Sequence, residues 1–219
     1  MFADLSVQLP LDAASLNKQV ITIQDCIPSD GSYLFYHFIN LSLQSVNPQN
    51  VCFVSLRNSP SHYVTVAAKL GNNYQQSLDS GHLIFINIMK YLTDKEVWNE
   101  SNSSLLLEYI YSETLTQCLN SSYPATLILD SVDALFDLGA SFSDIYALVM
   151  RLKTGILRNS GCLIFGTTSL ENFYFNNYPK KQSDINESRV VNNLLDHLSD
   201  IFIHISTVGN GFNKDVSGK

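Results

Sequence analysis

The sequence predicts an α/β fold in three layers, with a mostly parallel central sheet and helices on both faces. Two observations carry this. Short apolar, β-branched runs alternate with longer stretches of helical period, the pattern of successive βαβ units. Hydrophobic residues make up 45% of the 219 positions and charged ones only 15%, enough to fill a core on each side of a sheet.

The first run, Val20-Ile21-Thr22-Ile23, predicts a strand, followed by a loop from Asp25 to Gly31. A helix begins near Ser32, with Leu34, Phe38 and Leu41 spaced i, i+4, i+7 on one face. Val51 to Leu56 predicts the second strand. Ser59 then supplies an N-cap and Pro60 the first helical position, and Gly71 closes that helix. Leu83 to Ile88 reads as a third strand, Thr93 to Ser104 as an irregular surface loop, and Leu105 to Leu119 as a helix. The run Ala125-Thr126-Leu127-Ile128-Leu129-Asp130 is the most strand-like in the chain and ends in a carboxylate. Ser141 and Asp144 form a capping box for a helix whose Ile145, Leu148, Val149, Leu152 and Ile156 share a stripe. Cys162 to Phe165 predicts another buried strand, running into Gly166-Thr167-Thr168. Glu171 to Ser188 is rich in Asn, aromatic residues and lysine, and it reads as a long mobile loop. Val190, Val191, Leu194, Leu195 and Leu198 resume a helical spacing, and Ile201 to Ile205 is the last strand. No repeat or linker stands out, so residues 1–219 are expected to form one domain. The glycine-rich tail Gly209 to Lys219 reads as a turn without a second arm, which implies a missing closing strand.

The net charge of −7 and pI near 5.0 argue against binding nucleic acid through a bulk positive field. Any such contact requires a local patch or neighbouring subunits. The four cysteines, Cys26, Cys52, Cys118 and Cys162, include no C-x-x-C pair and read as buried free thiols of a reducing compartment. Residues Met1 to Lys18 show no secretory pattern. The longest apolar stretch, Leu83 to Met89, is far short of the ~20 residues a membrane span needs. A soluble, intracellular protein is expected, with no membrane partner.

A strand, a seven-residue loop and a helix opening on serine are the setting of a phosphate-binding loop, G-x-x-x-x-G-K-[ST]. Here those positions read Asp25-Cys26-Ile27-Pro28-Ser29-Asp30-Gly31-Ser32, and only Ser32 matches. Asp25 and Asp30 replace the glycines that let amides close around phosphate, and their charges repel it. Gly31 stands where the lysine belongs. This degenerate loop is expected to bind no nucleotide, and no catalytic residue, metal or cofactor is expected elsewhere. Asp130 has two open readings: the acid that holds magnesium in an ATPase, or a carboxylate that caps and ties loops. No glutamate follows it, since Ser131 and Val132 come next. Asp130 with Asp133 fits acid–base work and a helix-start cluster equally well. His37, His62, His197 and His204 have no nucleophile at a recognisable spacing and read as packing or capping residues.

Three stretches bear a family likeness. They are Asp30-Gly31-Ser32-x-Leu34-x-x-His37-Phe38, then Ser61-His62-Tyr63 with Val66 and Lys69-Leu70-Gly71, then Gly211-Phe212-x-Lys214-Asp215-Val216-x-Gly218. Together, in this order, they resemble the Elongator complex protein 6 family, although Tyr74 to Tyr123 carries little of the likeness. The resemblance implies a RecA-like fold without ATPase motifs. It further implies a six-membered ring with Elongator proteins 4 and 5, two copies of each, that binds tRNA. That ring serves a complex whose catalytic subcomplex modifies the wobble uridine of transfer RNA, in cytoplasm and nucleus. In such a ring the loop Glu171 to Ser188 is expected to face the centre, and Lys180, Lys181 and Tyr178 become candidate RNA contacts through phosphate charge and base stacking. The alternative for this loop is a solvated segment with no ligand. Two rivals share the fold. An active ATPase needs a positive charge near Asp25 to Ser32 from elsewhere, with Arg151 or Arg158 as candidates, and a single-stranded-DNA recombination adaptor needs a basic surface.

Overall fold

The computed structural model describes residues 11, 15–27, 29–44, 49–94, 103–119, 124–169 and 182–206. In chain order the elements are β1 (Val20–Cys26), α1 (Tyr33–Leu43), β2 (Asn50–Ser55), α2 (Pro60–Lys69), α3 (Gln75–Asp79) and β3 (Leu83–Asn87). There follow α4 (Ile88–Asp94), α5 (Ser103–Leu119), β4 (Ala125–Leu129), α6 (Ala134–Asp137), α7 (Phe142–Arg158), β5 (Cys162–Ser169), α8 (Gln182–Leu198) and β6 (Ile201–Ile205). The strands form one sheet in the order β3-β2-β4-β5-β1-β6, and every neighbouring pair is parallel.

Two apolar layers flank the sheet because its side chains alternate. Ile128 of β4 points into the layer built from α1, α2 and α3 with Leu34, Phe38, Tyr63 and Ala67. Leu127 and Leu129 point the other way, against Leu106 and Ile110 of α5, Leu148 and Leu152 of α7, and Val191 and Leu195 of α8. Direction explains which helix covers which face. Right-handed crossovers from β1 to β2 to β3 place their helices on one side. The chain then turns back through β4 and β5 to β6, so the same handedness places the later helices on the other side. The chains leaving β1 and β5 therefore diverge at neighbouring strand ends, which opens a crevice at the carboxyl edge of the sheet.

Local signals act as expected at two helix starts. Ser59 Oγ accepts the His62 amide at 3.3 Å ahead of Pro60, and Ser141 Oγ accepts the Asp144 amide at 3.3 Å while donating to Asp144 Oδ2 at 2.6 Å. The α7 stripe of Ile145, Leu148, Val149, Leu152 and Ile156 is buried throughout. All four cysteines are buried free thiols, and burial pushes Cys162 up to about 12.

Several boundaries differ from expectation, the helix from Ser103 and the strand Asn50–Ser55 by a residue or two and three others for a clear local reason. β1 runs on through Asp25 and Cys26, so the expected loop is shorter by two residues. Parallel partners on both sides, Thr168 and Ile205 for Asp25, hold the backbone extended whatever the side chain. β3 gives way to helix at Ile88, where Asn87 Oδ1 accepts the Lys90 amide at 3.1 Å and starts the turn. α8 begins at Gln182, inside the stretch read as loop, because its first turns are polar and lack the apolar spacing that marks a helix in sequence.

Candidate functional site

Parallel pairing brings all strand ends to one edge, and there the chain gathers Asp25 of β1, Arg57 after β2, Asp130 after β4, and Thr167 and Thr168 of β5. A close approach fixes their spacing. At Gly166 an added Cβ would stand 2.3 Å from the Asp130 carbonyl oxygen, and the Val132 amide donates to the Gly166 carbonyl at 2.8 Å. Only glycine lets β5 pass this near the segment after β4.

Asp130 is 1% exposed, and both its oxygens are engaged. Oδ1 accepts the Leu56 amide at 2.7 Å and the Arg57 amide at 3.2 Å. Oδ2 accepts the Tyr63 hydroxyl at 2.7 Å and the Arg57 amide at 3.0 Å. Burial raises its pKa, while Tyr63 and the amides of Leu56, Arg57 and Asn58 pull the other way. The Tyr63 hydroxyl is pushed well up by the same burial and by the carboxylate beside it. Of the two readings of Asp130, the geometry matches the carboxylate that ties a loop. A metal ion there would have to displace donors already in place.

Asp25 is equally enclosed, at 3% exposure. Its Oδ2 accepts the Gly31 amide at 3.0 Å and the Arg57 guanidinium, through Nη1, at 3.1 Å. Arg57 Nη2 donates to Thr168 Oγ1 at 3.0 Å, so one arginine spans the crevice from β1 to β5. Burial works against its charge, but Asp25, with Asp133 and Asp30, outweighs that and holds the pKa above the ordinary value. Asp30, exposed at the loop tip, accepts the Ser32 amide at 2.9 Å. Asp133 sits beside this group, and its Oδ1 accepts the Thr168 amide at 3.3 Å. As a residue it is half-buried, yet its carboxyl end is enclosed, and burial raises it to about 6 against the pull of Thr167, Arg57 and Thr168.

The loop residues expected from sequence thus converge: Asp30, Gly31 and Ser32 stand just ahead of α1, and Asp25, near the end of β1, accepts the Gly31 amide. Gly31 is packed, since an added Cβ would meet Ile205 Cδ1 at 3.0 Å and Ile23 Cγ2 at 3.1 Å. The nearby positive charge is Arg57, and this corrects the expectation of Arg151 or Arg158. Arg151 instead pairs with Glu108 at 2.7 Å and lies 3.6 Å over the Tyr111 ring on the helical face. Arg158 ends α7, just ahead of β5 and so at the opposite edge. Sequence reading missed Arg57 and the role of Tyr63. A signal existed, because Arg57 directly follows the apolar run Val51 to Leu56, as Asp130 follows β4. His37 is buried, its pKa lowered by burial, with its ring 5.6 Å from Phe38, while the His204 ring meets Gln24 at 2.9 Å. No group of three or more metal-ligating side chains occurs among the described residues. Lys180, Lys181 and Tyr178 lie outside the described residues.

The family model of Elongation complex protein 6 matches residues 2–219. The chain belongs to that family. Among its curated relatives, Elongator complex protein 6 of Xenopus laevis is 27% identical over 238 residues, covering 100% of this chain and 84% of the relative. Its Homo sapiens counterpart is 24% identical over 226 residues, with the same coverage. Membership of the Elongation complex protein 6 family thus extends through Tyr74 to Tyr123, where no motif pointed to it. Two solved structures share the architecture. The flagellar accessory protein FlaH of Methanocaldococcus jannaschii superposes with a TM-score of 0.60 at 18% identity, over 92% of this chain and 76% of that one. A KaiC-like protein of Pyrococcus horikoshii gives 0.56 at 14% identity, over 90% and 75%. The fold is RecA-like. No helix among the described residues is long and apolar enough to cross a membrane.

Proposed function

We propose that this member of the Elongation complex protein 6 family is a non-catalytic subunit of the Elongator complex. In this reading it joins Elongator proteins 4 and 5 in a six-membered ring, two copies of each, which holds tRNA while the catalytic subcomplex modifies the wobble uridine. It takes no cofactor and works in cytoplasm and nucleus. Lys180, Lys181 and Tyr178 offer the ring's tRNA contact from this chain.

The observation that supports a non-catalytic role is the state of the crevice. Asp130, which would hold magnesium in an ATPase, has both oxygens engaged by Leu56, Arg57 and Tyr63, and the neighbouring Arg57 is paired with Asp25. The test is the native mass of the complex formed on co-expression with Elongator proteins 4 and 5, read together with thermal unfolding in millimolar Mg-ATP. A complex with two copies of each subunit and no shift in the isolated chain's Tm is expected. A chain that stays alone would sink the ring, and a clear upward Tm shift would sink the non-catalytic reading. Charge reversal at Lys180 and Lys181 should weaken tRNA binding by the assembled ring, and unchanged affinity would remove that contact.

A further inference from the structure

In a phosphate-binding loop, amides at a helix N-terminus and a nearby cation converge on a bound anion. The same convergence exists here, around a different anion. The Gly31 amide just ahead of α1 and the Arg57 guanidinium both donate to Asp25 Oδ2, at 3.0 and 3.1 Å. Thr168 Oγ1 fixes the other arm of Arg57 at 3.0 Å. The remaining oxygen, Asp25 Oδ1, is buried without a hydrogen-bond partner, so the carboxylate is held there by one oxygen alone. A carboxylate serving only as a loop tie would be expected to satisfy both oxygens, as Asp130 does.

We propose that Asp25 is a built-in anion: its carboxylate sits in the phosphate seat of this RecA-like fold, with Arg57 in place of the missing lysine. The β1–α1 crevice is then a self-occupied oxyanion site whose external ligand class is phosphate or pyrophosphate. With its own anion in place, the start of α1 keeps one conformation at every nucleotide concentration. Asp25 is therefore more than a repulsive substitution, and it makes the loop's shape independent of ligand. The inference rests on the part of the proposed function that leaves the natural crevice without nucleotide, and it is independent of ring formation.

The test titrates inorganic pyrophosphate into the full chain by calorimetry and thermal unfolding. The variants are Asp25→Asn, which keeps the shape and removes the charge, and Asp25→Asn combined with Arg57→Gln. The natural chain should bind no pyrophosphate at millimolar concentration, and Asp25→Asn should gain at least about tenfold in affinity once the buried like charge is gone, although exposed Asp30 remains. Removing Arg57 as well should abolish the gain. Equal binding by the natural chain, or a folded Asp25→Asn that gains nothing, overturns the proposal. Should the variants not fold, the side-chain NMR signals of Arg57 in the natural chain decide it. They should stay in place on adding pyrophosphate, and a titrating shift overturns self-occupancy. Native mass of the co-expressed complex separates the two ideas, because loss of the ring leaves these titrations unaffected.

Discussion

Each oxygen of Asp130 receives two donor contacts, from three separate groups: the amides of Leu56 and Arg57 and the hydroxyl of Tyr63. Truncating it strands all three in a buried place, where each unsatisfied donor costs about 1–3 kcal/mol. Asp130→Ala should therefore lose about 3 kcal/mol or more in urea unfolding. A loss under about 1 kcal/mol would mean that water replaces the carboxylate. Asp133 behaves differently. Its ordinary value of 3.8 is raised to about 6 by burial, against the opposing effects of Thr167, Arg57 and Thr168. A raised acid contributes stability fully below its unfolded value and loses it as pH rises through the folded value. Measured against Asp133→Asn, the natural chain should lose stability between pH 3.8 and about 6 and stay level above. Urea midpoints across that window check it, and a flat difference would place the carboxyl in solvent.

Strand β5 is buried along its whole length and crosses the segment after β4 at Gly166. A methyl group there would meet backbone, the Asp130 carbonyl oxygen at 2.3 Å, as well as Phe35 Cζ at 2.7 Å. Backbone cannot swing aside as a side chain can. Gly166→Ala should destabilise by about 3 kcal/mol, the upper range for overpacking, and loosen the edge that carries Thr167 and Thr168. A Tm within a degree or two of the natural chain would show that the two strands part easily. The helices were simpler to read. Ser59 and Ser141 cap as their spacing predicts, because a cap is a contact within one turn. The onset of α8 at Gln182 was hidden, since a polar turn has helical propensity but no stripe.

Across the molecule, five parallel pairings make one sheet, and β6 forms one edge of it as described. β6 carries no acid, lysine or arginine: Ile201, Ile203 and Ile205 pack inward, while Phe202, 37% exposed, and His204 lie on the other face. An edge strand without lysine, proline or an acid to blunt it is a template for pairing with another chain. The isolated protein should self-associate at high concentration, and Phe202→Lys should reduce this while changing stability by less than about 0.5 kcal/mol. Sedimentation velocity of the two proteins checks it. Identical monodisperse behaviour would show that the edge is already protected. The net charge of −7 works against this association, so it should strengthen as salt is raised.

Alternation of apolar runs, two helix caps and the loss of the phosphate loop's glycines and lysine were all legible in the chain itself. Each depends on residues near one another in sequence, so spacing alone specifies it. The fold class followed from these, and so did the position of the degenerate loop. What Asp25, Arg57 and Asp130 do was decided only in three dimensions. Arg57 lies 32 positions from Asp25 and 111 from Thr168, and Asp130 lies 67 from Tyr63. Only a parallel sheet that sets their strand ends side by side turns three isolated charges into an ion pair and a loop tie. Local spacing carries no record of which strands become neighbours. The crossover direction decides that, and with it the chemistry of the crevice.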